Sequence, residues 1–323
     1  MGGGLSVNSG LNMAMRRTLW VIALFCFLAG GDSLIAEDPS MLSRLTTLIQ
    51  VQFAAPPESL GTGFFFQVLA PPKDPQKRGP QWRAIEGLYV ITNRHVIAPQ
   101  RFATLRKLTF FLRRSNPTTV DWHGIELSAE ELGRRLHLHP NPQVDVAAID
   151  VLDLVTAEFK KPAGTNTSSV LQPWSAVSRD NFPGVSRLQI SAGEDAIVIG
   201  YPRLFYDEFN KLPILKPGMV ITPWGLKYNN LDAFLIDYKF FHGSSGSIVV
   251  SRPTDLLIEK GTLMTYDTKQ LLFLGVYAGE PFKPGELKET DEAIIREKVR
   301  VDVGLVWYYY TVEQAVQAPV FRP

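Results

Sequence analysis

The chain has 323 residues, 45% hydrophobic and 20% charged, which supplies enough apolar material for a sizeable core and excludes a disordered chain. Its 33 basic and 32 acidic residues leave no charge excess to attract nucleic acid or an anionic membrane, so neither is expected as a partner. With 25 glycines and 23 prolines spread along its length, it is expected to turn often and to form many short strands.

Residues 1–36 read as an export signal. Arg16 and Arg17 precede the apolar run from Thr18 to Gly30, small residues follow, and Ala36 before Glu37 is the expected cleavage point. The run is shorter than the roughly 20 residues of a spanning helix. No integral membrane segment is therefore expected after cleavage, with retention as an anchor the alternative. Met13 and Met15 lie closer to the basic pair and are candidate starts. Cys26, the only cysteine, lies inside this signal behind Leu24 and Phe25, which are too large for a lipoprotein cleavage site. An exported chain without cysteine points to the bacterial periplasm or exterior, because extracellular animal domains of this size usually carry disulfides.

Past the signal, Leu45–Phe53, Gly61–Val68, Leu88–Thr92, Leu108–Leu112 and Val144–Ile149 read as strands. A polar excursion between the last two holds a short helical pattern from Ser128 to Arg135 and room for a sixth strand. A linker rich in Pro, Ser, Thr, Asn and Gly follows. Then come six more β-rich runs: Asp195–Gly200, Gly218–Ile221, Ala233–Asp237, Ser247–Val250, Leu271–Tyr277 and Gly304–Tyr309. Thr311 reads as the N-cap of a terminal helix. The expectation is an all-β protein of two six-stranded antiparallel β-barrels with a short C-terminal helix. Its divisions are a signal at 1–36, a first barrel at 37–155, a linker at 156–187, and a second barrel with the helix at 188–323.

Three positions carry chemistry in combination. Ser245 sits in Gly243-Ser244-Ser245-Gly246-Ser247, a tight turn whose flanking glycines let backbone approach a substrate. Taken alone, such a stretch is an ordinary hairpin turn, and Ser244 and Ser247 compete with Ser245; only Ser245 has the Gly-x-Ser-Gly frame. A serine hydroxyl needs a base, and His95 ends the β-rich run Val90–Thr92 and precedes Val96-Ile97. The base needs a carboxylate to orient it, and Asp145 opens an apolar run too hydrophobic for an unpaired charge. Asp150, five residues on, faces the other side of a strand. The N–H groups of Gly243 and Ser245 are candidates for an oxyanion hole. His137 and His139, with His123, suggest a metal site, but no carboxylate or cysteine at a motif-like spacing completes it. No metal and no cofactor are expected.

Together, Gly61-Thr62-Gly63-Phe64, Ile91-Thr92-Asn93-Arg94-His95-Val96, Asp145-Val146-Ala147, Gly200-Tyr201-Pro202, the Ser245 turn and Leu274–Gly279 resemble the trypsin-like serine peptidases of the chymotrypsin superfamily. The order His, Asp, Ser is that family's, and the lack of cysteine is similar to its disulfide-free bacterial branch. The resemblance implies a serine endopeptidase acting on protein or peptide through an acyl-enzyme, with His95 as base, Asp145 as its orienting carboxylate and Ser245 as nucleophile. Ser244 departs from the aspartate that zymogen-activated members carry there. The 78 residues after Ser245 leave no room for a PDZ domain. By the same resemblance Lys239, His242 and Tyr277 wall the substrate pocket, and Lys239 argues against cleavage after Lys or Arg. The alternatives are a catalytically silent double barrel acting as a binding module, and an esterase using the same triad.

Overall fold

The computed structural model describes residues 41–74, 83–115, 120–160, 170–202, 205–238, 243–259, 262–281, 287–290, 293–296 and 302–322. The expected signal lies outside them, as do Lys239 and His242.

The first half is one antiparallel sheet. Its strands are β1 (Thr46–Phe53), β2 (Ser59–Leu69), β3 (Ile85–Thr92), β4 (Leu105–Ser115), β5 (Val120–Ser128), β6 (Leu136–Leu138) and β7 (Ala147–Asp150), in the order β5-β4-β1-β2-β3-β7-β6. A two-residue strand, β8 (Val170–Leu171), adds to β4. The polar excursion thus contains two strands, β5 and β6, where one was expected. They are joined by helix α1 (Ala129–Gly133), which Ser128 and Glu131 close with a reciprocal capping box.

The second half is a closed barrel in the order β10-β11-β18-β15-β12-β9. Its strands are β9 (Asp195–Gly200), β10 (Ile214–Val220), β11 (Ala233–Asp237), β12 (Ile248–Ser251), β15 (Phe273–Gly279) and β18 (Val303–Tyr308). These six correspond to the six runs expected from the sequence. The insertion after Ser251 forms a two-stranded hairpin, β13 (Thr254–Glu259) with β14 (Thr262–Gln270); a second pairs β16 (Leu287–Thr290) with β17 (Ala293–Arg296).

Period-two alternation feeds three cores. In β2, Phe65 points into the first half's core, while Phe64 and Phe66 point into a seam shared with the barrel. The same alternation sends Val90 and Ile149 to the first core, and Ile91 and Ala148 to the seam. From the barrel, Val198, Val249 and Val306 fill the interior, while Ile199, Ile248, Val250 and Trp307 reach the seam. Strands buried on both faces explain why their sequences are nearly continuous apolar runs.

The segment expected as a linker is built into this seam. Helix α2 (Leu152–Lys160) occupies its start. Further on, Val177 exchanges backbone hydrogen bonds with Phe65 and Gln67, and Phe182, 3% exposed, packs its ring 6.0 Å from both Phe66 and Phe273. The terminal helix α3 (Tyr310–Val316) starts before Thr311, because Tyr309 already has helical angles. Thr311 is therefore not its cap; the buried hydroxyl donates to the Tyr308 carbonyl at 2.7 Å.

Candidate active site

Strand pairing brings His95 to Asp145. In the β3–β7 ladder Thr92 faces Ala147, so the antiparallel register, carried two residues further, sets position 94 against position 145. His95 follows on the one-turn helix α4 (Arg94–Ile97), set between β3 and β4 in the chain. Both carboxylate oxygens of Asp145 are then used: Oδ1 accepts from the His95 backbone N–H at 2.8 Å, and Oδ2 lies 2.5 Å from the ring Nδ1. A carboxylate facing Nδ1 fixes the proton there and leaves Nε2 as the ring's acceptor. The His95 side chain is 51% exposed, so Nε2 is reachable. Asn93, fully buried, donates from Nδ2 to the Asp145 carbonyl at 2.7 Å and fixes the carboxylate's backbone. Asp150 is engaged elsewhere, accepting from Leu152 N at the start of α2.

The Ser245 turn is held from both halves of the molecule. Its φ > 0 positions are glycines, Gly243 at 89° and Gly246 at 83°. From the barrel, Gly246 N donates to the Tyr277 carbonyl and Tyr277 N to the Ser247 carbonyl, each at 2.9 Å. From the first half, Thr62 N donates to the Ser245 carbonyl at 2.9 Å, and Thr62 Oγ1 donates to the Gly243 carbonyl at 3.0 Å. A Cβ at Gly246 would collide with the Thr62 carbonyl and come within 3.2 Å of Asn93 N, two residues before His95. A Cβ at Gly61 would meet Val96 at 2.7 Å and the Ser245 carbonyl at 3.3 Å. The seam thus packs the Ser245 backbone against the residues flanking His95.

Ser245 is 8% exposed. Its hydroxyl makes no hydrogen bond to the His95 ring among the described residues. Neither the Gly243 nor the Ser245 N–H donates to a backbone carbonyl among those residues. Tyr277 is fully buried; its ring packs 4.9 Å from that of Tyr238 and covers Gly304, and burial pushes its phenol well above the ordinary range. It meets the Ser245 turn through its backbone. Lys239 and His242, the other expected pocket residues, fall outside the described residues. His137 and His139 have separate partners, the Ala318 carbonyl and Gln314 Oε1, and no group of three metal-ligating side chains occurs among the described residues. No helix among those residues is long and apolar enough to cross a membrane.

No protein-family model matches the chain, and no curated protein matches it. Among solved structures it is similar to the tobacco vein mottling virus protease, at 12% identity and a TM-score of 0.34, over 82% of this chain and 77% of that one. A scabies mite inactivated protease paralogue matches at 11% identity and a TM-score of 0.40, over 87% and 96%. A catalytically active tobacco etch virus protease complexed with product matches at 12% identity and a TM-score of 0.37, over 77% and 74%. Likenesses this distant assign neither a family nor a chemistry to the chain.

One residue of the site has no signal of its own in the sequence. Thr62, fully buried, uses its N–H, carbonyl and hydroxyl together. Besides holding the two carbonyls of the Ser245 turn, its Oγ1 accepts from Tyr201 N at 2.8 Å, and its carbonyl accepts from Thr92 Oγ1 at 2.8 Å. The sequence displays Gly61-Thr62-Gly63 as a motif, but the partners run from Thr92 to Ser245, 30 to 183 residues away, beyond the reach of any local pattern.

Proposed function

We propose that the protein is an exported serine endopeptidase of the chymotrypsin-like, disulfide-free bacterial kind. The observation that carries the reading is the His95–Asp145 pair, oriented through both carboxylate oxygens, on elements packed against the Ser245 turn. In this reading Ser245 Oγ attacks the substrate carbonyl while His95 Nε2 takes its proton, and Asp145 stabilises the imidazolium. The Gly243 and Ser245 N–H groups receive the oxyanion. Collapse expels the amine, protonated by His95, and leaves an acyl-enzyme that water hydrolyses through the same base. Serine, histidine and aspartate suffice for this acyl transfer, so the proposal names no cofactor. The substrate is a protein or peptide met outside the cytoplasm.

The second reading, a catalytically silent binding module, is favoured by one observation, the absence of a hydrogen bond between Ser245 and His95. Catalytic hydrogen bonds often tighten only when substrate binds, so the endopeptidase reading stands first. Incubating the chain, freed of residues 1–36, with a peptide library separates the two. Cleavage at internal bonds that disappears in Ser245→Ala supports the peptidase. Intact peptides with folded wild-type protein support the module.

A further inference from the structure

Behind the Ser245 turn lies a cavity of about 300 Å³, separate from the exposed face of His95. It is at the small end of ligand pockets, which run from about 300 to 1,000 Å³. Its polarity is graded from floor to mouth. The floor is formed by Ser244 and Ser247, 1% and 0% exposed. The Ser247 hydroxyl lies against Gly200 and has no hydrogen-bond partner among the described residues. A buried hydroxyl without a partner is costly and calls for a group that satisfies it. Along the wall the Lys216 ammonium sits 4.5 Å over the Tyr238 ring, the one cation among the described lining residues. Pro202, Phe205 and Ile214 make the mouth, Phe205 at 61% and Ile214 at 37% exposed; Phe209, in the same β9–β10 connection, is 72% exposed. Apolar exposure of this kind on a soluble domain marks a contact site.

We propose that this cavity is a binding site for an amphipathic carboxylate. The head group enters first, pairing with Lys216 and accepting from the Ser247 hydroxyl, while an aliphatic body crosses Pro202, Phe205 and Ile214 toward the surface. One ammonium and a hydroxyl among the described lining residues suit a singly charged carboxylate. A short fatty acid and the free C-terminus of a peptide ending in an apolar residue share this chemistry. The site does not depend on Ser245 acting as a nucleophile.

Calorimetric titration of the full chain tests it, with octanoate, octan-1-ol, and an acetylated tripeptide ending in leucine as its free acid. Octanoate is expected to bind at one saturable site, and octanol at least tenfold more weakly. Lys216→Met should weaken octanoate at least tenfold without changing octanol. Ile214→Trp, which fills the mouth from a partly exposed position, should remove both, with circular dichroism confirming the fold. Tighter binding of the tripeptide than of octanoate assigns the site to peptide C-termini, and the reverse order to free acids. Absence of saturable binding of either carboxylate at millimolar concentration overturns the proposal. So does octanol binding as tightly as octanoate, or affinity unchanged in both variants. Ser245→Ala should bind octanoate like the wild type, so a silent triad and an empty pocket give different results.

Discussion

Asp145 shows how far single residues were legible. Its apolar neighbourhood implied a paired carboxylate, and the pairing with His95 follows from two strand ends that meet in one ladder. Asp145→Asn would leave that geometry nearly unchanged yet put the wrong hydrogen-bonding group against Nδ1. In the endopeptidase reading, turnover is expected to fall by on the order of 10⁴, measured as kcat on a cleaved peptide. Thr62 was not legible, because its partners are brought together only by the seam. Thr62→Val keeps the shape but strands the Gly243 carbonyl and the Tyr201 N–H, each an uncompensated buried group worth about 1–3 kcal/mol. Urea unfolding should show a loss of that order, and the rate of Ser245 acylation should drop, with Thr62→Ser restoring both. Gly246→Ala should be worse. Its φ of 83° costs an L-residue about 1–2 kcal/mol, and the added methyl would strike the Thr62 carbonyl.

Among the elements, strands with strict alternation or continuous apolar runs were visible in sequence, whereas those lying in polar surroundings were not. β5 reads Val120-Asp121-Trp122-His123-Gly124-Ile125, with only Ile125 and Leu127 buried along its length, and its place is set by the long ladder with β4. Within the segment expected as a linker, prolines and polar residues hide Val177 and Phe182, which fill the seam. Between α1 and α2, Arg135 grips both oxygens of Asp153 at 2.6 and 2.8 Å. The Arg135 hydrogen bonds hold the Asp153 carboxyl below its ordinary value of 3.8. A lowered carboxylate pKa contributes stability above the unfolded-state value, and that stability is lost as the pH falls through the folded one. Asp153 is 65% exposed, so the contribution is below about 1 kcal/mol. Arg135→Met should therefore be slightly less stable than wild type at pH 7 in urea titrations. The difference should vanish once the pH drops below the carboxylate range.

For the whole molecule, the seam is what makes a site out of two halves. Phe64 of β2 and Phe273 of β15 pack with tilted rings 5.3 Å apart, with Phe182 between the halves, and Thr62 bonds the Ser245 turn across the same boundary. Phe273→Ala is expected to cost about 3–5 kcal/mol. The two halves should still unfold in one transition, seen as coincident midpoints by near- and far-ultraviolet circular dichroism, because the seam core belongs to both. Activation of Ser245 by this seam can be read out with a fluorophosphonate reagent followed by mass spectrometry of the adduct. Stoichiometric modification is expected at Ser245, lost in Ser245→Ala and strongly slowed in His95→Ala, with Ser244 and Ser247 unmodified. Folded wild-type protein that stays unlabelled, or that labels equally in Ser245→Ala, would contradict it.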